Sequence, residues 1–160
     1  MSWGRRPRML WIVLGLAVGI LLGALVVRRP AQPLTAERLA EAREKWRSAA
    51  VTDYSLEIRT EGSAGALHEV EVRRGEVTAM TIGGAPASKS AWQYWSVDGL
   101  FGFLETELAN AVDARRTYGV EPDSVVLRAR FDRDHGAPEL FLRHVMGTRQ
   151  SIEWEITRFE

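Results

Sequence analysis

The chain has 160 residues, 21 Lys+Arg against 21 Asp+Glu, and no cysteine. The missing cysteine excludes disulfides, thiolate metal sites and a cysteine nucleophile. The arginines at 5, 6, 8, 28 and 29 meet no carboxylate within residues 1–29, so the remainder is net negative by five. That balance argues against binding nucleic acid through its phosphates.

Residues 1–8 form a basic tail with Arg5, Arg6 and Arg8. Met9–Val27 follows without a single charge. As a helix these residues span about 28 Å, close to the hydrocarbon thickness of a bilayer. A helix satisfies its own backbone in lipid, so 9–27 is expected to cross the membrane alone. The apolar run is too long for a signal peptide, and Leu25-Val26-Val27-Arg28-Arg29 makes a poor cleavage site. An uncleaved, single-pass anchor in the cytoplasmic (inner) membrane is the reading. The short basic tail favours an extracytoplasmic domain, although the arginines just behind the anchor oppose it. Gly15, Gly19 and Gly23 recur every four residues and share one helix face. Such a face lets two backbones approach closely and makes a candidate helix-dimer surface for a homodimer or a helical partner; the alternative is that glycine is simply common in membrane helices.

Residues 28–34 read as a linker, and 35–160 as an α+β domain. Thr35 is the expected N-cap of a helix over 36–48, with Leu34 and Leu39 as a hydrophobic staple. Leu39, Ala42 and Trp46 form its apolar stripe. The period then changes to two. Tyr54, Leu56 and Ile58 alternate with polar residues, as do His68, Val70 and Val72. With Val77–Ile82 these runs predict three antiparallel strands. A loop from Gly83 ends in Trp92-Gln93-Tyr94-Trp95. Ser96 or Asp98 then caps a second helix to about Ala114, with Leu100, Phe101, Leu104, Leu108 and Ala111 inward. Three more strands carry Val125–Phe131; Leu140, Leu142 and His144 on one face; and Ile152, Trp154 and Ile156 on one face. The order α-βββ-α-βββ predicts a two-layer α+β domain, an antiparallel sheet with helices on one face.

Four features in this order resemble the bacterial family known as domain of unknown function 6174. They are Lys45-Trp46 with Asp53-Tyr54, Val97-Asp98-Gly99-Leu100-Phe101, Asp132 with Gly136-Ala137-Pro138, and a closing strand over 152–159. The resemblance spans about residues 36–159. It implies a domain placed outside the cytoplasm by an export signal or anchor. It brings no activity to any residue. Cysteines common after the first strand in similar proteins are replaced here by Glu61-Gly62-Ser63-Ala64-Gly65.

No residue pattern marks a catalytic, cofactor-binding or metal site. His68, His135 and His144 lack metal-ligand spacing. Strand parity puts His68 and His144 on the apolar side. Asp132-Arg133-Asp134-His135-Gly136 lacks the acidic ligands of a calcium loop and suits a hairpin turn. Ser63 is not in a nucleophile elbow. Asp98 fits the first turn of a helix, where a carboxylate opposes the dipole. Trp92 and Tyr94 are the candidate partner surface, because exposed aromatics gather at binding sites. Trp46, Trp95 and Trp154 are expected in the core. The sequence therefore points to a membrane-anchored, extracytoplasmic binding or assembly module without cofactor, whose protein partner it does not name. The alternatives are an enzyme with an unrecognised site, using His135 or His144 with carboxylates, and a small-molecule or peptide sensor. The sensor requires an apolar pocket between helices and sheet.

Overall fold

A computed structural model of the chain describes residues 29–62 and 65–160. The predicted tail 1–8, the transmembrane helix 9–27 with Gly15, Gly19 and Gly23, and Ser63 lie outside these residues. Among the described residues no helix is long and apolar enough to cross a membrane.

Thr35 begins the first helix, α1 (Ala36–Ala49), its side chain accepting a hydrogen bond from the Arg38 N–H at 3.3 Å. Leu34 and Leu39 are both buried beneath that turn. A meander follows: β2 (Tyr54–Thr60), β3 (Leu67–Arg73) and β4 (Glu76–Ile82). Ser96 caps the second long helix, α3 (Val97–Val112), by accepting from the Gly99 N–H at 3.0 Å. Asp98 sits exposed in its first turn. The second meander is β6 (Val125–Phe131), β7 (Pro138–Val145) and β8 (Ser151–Phe159).

The structure adds small elements that hydrophobic pattern does not announce. Two-residue strands β1 (Gln32–Pro33) and β5 (Ala85–Pro86) close the two edges of the sheet. Each contains a proline, which an edge strand tolerates because one side of it needs no donor. Gln32 to Leu34, within the stretch read as linker, thus joins the fold: Pro33 faces Arg128, and the Leu34 N–H donates to the Leu127 carbonyl at 3.0 Å. Short helices α2 (Lys89–Trp92) and α4 (Ala114–Tyr118) flank α3.

Every pairing in the sheet is antiparallel, and the order is β1-β6-β7-β8-β2-β3-β4-β5. The two meanders therefore meet where β8 pairs with β2. The inward face carries Tyr54, Leu56, Ile58, Val70, Val72, Leu127, Phe141 and Trp154, all packed in one core with Leu39 and Trp46 of α1 and Phe101 and Leu104 of α3. Both long helices cover that face, as the α+β reading expects. The outward face is laced with ion pairs: Arg130 reaches Glu139 at 2.8 Å and Glu155 at 2.9 Å, and Arg73 reaches Glu71 at 2.6 Å.

One expected parity is reversed. In β7 the inward residues are Phe141, Arg143 and Val145, opposite Ala129, Leu127 and Val125. Leu140 and Leu142 are half-buried on the outer face, and His144 is exposed there. The run Leu140-Phe141-Leu142 is apolar at both parities, so pattern alone leaves the face open. The β6 register decides it, because a slip of one residue would turn every side chain over.

Candidate cleft under the second long helix

The helix α3 carries two stripes. Val97, Phe101 and Leu104 enter the core. Gly99, Gly102, Phe103 and Thr106 form the other, which roofs a cleft of about 730 Å³. Thr60 of β2 with Ile152 and Trp154 of β8 make its floor, and Gln93, Tyr94 and Trp95 stand at its mouth. The two glycines have different reasons. A Cβ on Gly99 would overlap the Gln93 carbonyl oxygen, so this glycine lets the 93–95 turn lie against the helix. A Cβ on Gly102 would meet nothing within 4 Å. Glycine within a helix costs about 1 kcal/mol relative to alanine, and at Gly102 no neighbour requires it.

The mouth is not an extended segment. Lys89–Trp92, expected within a loop, is helical, and the next residues turn. Trp92 is half-buried against the core and its indole N–H donates to the Ala87 carbonyl at 3.2 Å. Tyr94 is 60% exposed and lines the cleft. Trp95, expected in the core, is half-buried and also lines the cleft. Its inner face stacks on the His68 ring at 3.9 Å. His68 is only 6% exposed, and burial holds its imidazole below the ordinary histidine range. Its Nε2 lies 3.5 Å from Thr60 Oγ1, and its Nδ1 is buried without a partner.

Deeper along the cleft wall is Glu107, 4% exposed. Arg143 Nη1 donates to both carboxylate oxygens, at 3.0 and 2.8 Å, and the Tyr118 hydroxyl donates to Oε2 at 3.1 Å. The Arg143 guanidinium also lies over the Tyr118 ring, 4.9 Å from its centre. Burial first, and then the Glu107 charge, push the Tyr118 phenol upward. Neither charged residue stood out in the sequence as a site. Glu107 continues the helical spacing of Leu100 and Leu104, and Arg143 follows Phe141 by two. Each occupies an apolar position of its own element, a signal that a buried partner exists.

His135 belongs elsewhere. Its Nδ1 lies 3.3 Å from Asp132 Oδ1, beside a small cavity of about 200 Å³. The same Oδ1 accepts the Asp134 and His135 backbone N–H groups at 2.8 Å each, so Asp132 shapes the β6–β7 turn. No group of three or more metal-ligating side chains occurs among the described residues.

Some of the residues that carried the family resemblance meet in one cluster, while Gly99, Leu100, Ile152 and Trp154 line the cleft. Trp46 packs edge-on to Tyr54, with ring centres 5.5 Å apart, and Tyr54 stacks on Phe159 at 5.5 Å. The Tyr54 hydroxyl accepts the Val97 N–H at 3.1 Å, tying the first strand of the first meander to the start of α3. Burial, aided by Asp98, pushes this phenol up to about 12. At Gly136, φ is +78° and a Cβ would overlap the Ala42 carbonyl oxygen and lie 2.8 Å from Lys45 Cβ. Only glycine lets the hairpin cross α1 so closely.

No curated protein and no solved structure matches the chain. Residues 38–125 match the family described as Family of unknown function (DUF6174). That stretch runs from α1 to the first residue of β6 and holds Trp46, Tyr54 and Val97–Phe101; from beyond it Phe159 stacks on Tyr54 and Gly136 lies against Ala42 and Lys45 of α1. More than half of the chain is matched, and the protein belongs to the DUF6174 family.

Proposed function

We propose that the protein is a membrane-tethered, extracytoplasmic binding module whose domain receives an apolar ligand in the cleft under α3. The observation that carries this reading is Gly102. It forgoes about 1 kcal/mol of helix stability at a position open to the cleft, where alanine would fit without contact. The lining around it is chiefly apolar and aromatic, the character of small-molecule sites. Tethering rests on the uncharged stretch 9–27 and its flanking arginines.

The test is binding of the neutral dye N-phenyl-1-naphthylamine to the full chain in lipid nanodiscs, against empty nanodiscs. The expected result is a saturable component that Gly102→Leu weakens roughly tenfold by filling the space. Dye uptake no greater than lipid alone would overturn the reading. Protease treatment of spheroplasts, compared with lysed cells, tests orientation: digestion of the domain in both is expected, and protection in spheroplasts would reverse it.

A catalytic reading finds its support in Asp132 and His135, within reach of each other at a small cavity. It is the weaker one, because Asp132 is engaged by its own turn and His135 Nδ1 lies 3.4 Å from the Ala137 N–H. Unchanged cellular function with His135→Phe would dispose of it.

A further inference from the structure

The polar groups on the cleft wall narrow the class of occupant, an argument that rests on the binding reading above. Thr60 Oγ1 accepts the Ala66 N–H at 3.0 Å and donates to the Ala66 carbonyl at 3.2 Å. Thr106 Oγ1 donates to the Gly102 carbonyl at 3.0 Å. The Glu107 carboxylate is held by Arg143 and Tyr118. Each of these oxygens has a partner within the protein, and the Arg143 Nε behind Glu107 is buried without one. A ligand that buried an amide or a charge against them would lose its hydration and gain little in return. Gln93 and Tyr94 are different: both are exposed and stand at the mouth, where a polar group keeps access to water.

We infer that the cleft takes an uncharged apolar small molecule, its aliphatic or aromatic body between α3 and β8 and a single neutral polar group, such as a hydroxyl, at the Gln93–Tyr94 mouth. The volume of about 730 Å³ lies within the range that encloses most of such a molecule. A peptide fits less well, since every residue brings a backbone donor and acceptor that this wall leaves unpaired. A fatty acid or an alkylammonium ion fits less well too. The charge on the wall is already neutralised by Arg143, so a second charge has no counter-ion there.

The experiment is photolabelling of the full chain in nanodiscs with diazirine-bearing decanol, decanoate and decyltrimethylammonium, each yield normalised to lipid labelling. The expected outcome is labelling of 99–107 and 152–154 by the alcohol, roughly tenfold above either ion, and its loss in Gly102→Leu. The variant Gln93→Ala with Tyr94→Ala changes only exposed side chains, and should reduce alcohol labelling severalfold. Equal labelling by an ion would overturn the neutral class while leaving the cleft as a binding site. Stronger labelling by an uncharged N-acetyl dipeptide amide carrying photo-leucine would transfer the cleft to a protein partner and overturn the assignment. Absence of wall labelling by every probe would remove the inference and the binding reading together. Labelling unchanged in the Gln93, Tyr94 variant would overturn the mouth contact.

Discussion

Tyr54 shows how much one side chain can join. Its ring lies between Trp46 and Phe159, and its hydroxyl serves the otherwise unpaired first N–H of α3. Tyr54→Phe keeps the stacking and strands that N–H, so unfolding should become easier by about 1–2 kcal/mol in denaturant titration. The phenol ionises in the unfolded chain near its ordinary value of 10.0 and in the folded domain only at about 12. The folded state therefore holds the proton longer, and stability falls as pH rises from 10.0 towards about 12. Tyr54→Phe should flatten that alkaline loss. His68 acts at the other end of the scale. Burial keeps it neutral in the fold, so the unfolded chain takes up the proton first as pH falls. Its contribution is intact above roughly pH 6.5 and declines below it, through the lowered folded value. His68→Phe preserves an aromatic face for Trp95 and should remove this acid-side slope in thermal melts from neutral to acidic pH. His68 was legible as inward from strand alternation, whereas His144 was misplaced because its neighbours are apolar on both faces.

Between α3 and β7 the decisive contact is the pair Glu107–Arg143, whose side chains are 6% and 11% exposed. A buried ion pair is costly to break from one side and cheap to replace as a whole. Glu107→Leu alone should destabilise the domain by about 3–5 kcal/mol. Adding Arg143→Met should recover most of that loss, and a double-mutant cycle by denaturant unfolding measures the coupling. If the two single changes simply added, the pair would not be the link between helix and sheet. At this scale the sequence was readable where chemistry is local. Thr35 and Ser96 cap the helices they precede, and the helix over 36–48 ends one residue later, at Ala49. It was not readable where two distant residues solve each other's burial, as with Glu107 and Arg143. The cleft was hidden for a related reason: Gly99, Gly102 and Thr106 form a stripe of small residues that hydrophobic periodicity passes over.

Across the whole domain the order of strands in space departs from their order along the chain. The last strand, β8, pairs with β2 and β7 and puts Trp154 into the core. A chain truncated after Gln150 should lose its cooperative thermal transition, because two interior strand edges and a face of the core are left open. A surviving sharp transition would mean that one meander with its helix is stable alone. The paired meanders were foreseeable from the repeated βββ pattern; their junction through β8 was not, since hydrophobic alternation says which face a strand buries and nothing about its neighbour.

That arrangement bears on the timing of folding. A polypeptide emerges from the ribosome from its N-terminal end, so the domain waits for Ser151–Phe159 before its centre can close. Until then the edges of β2 and β7 that β8 will join stand open, and the core lacks Trp154. The placement of one late strand thus makes closure of the core a late event in the domain's synthesis.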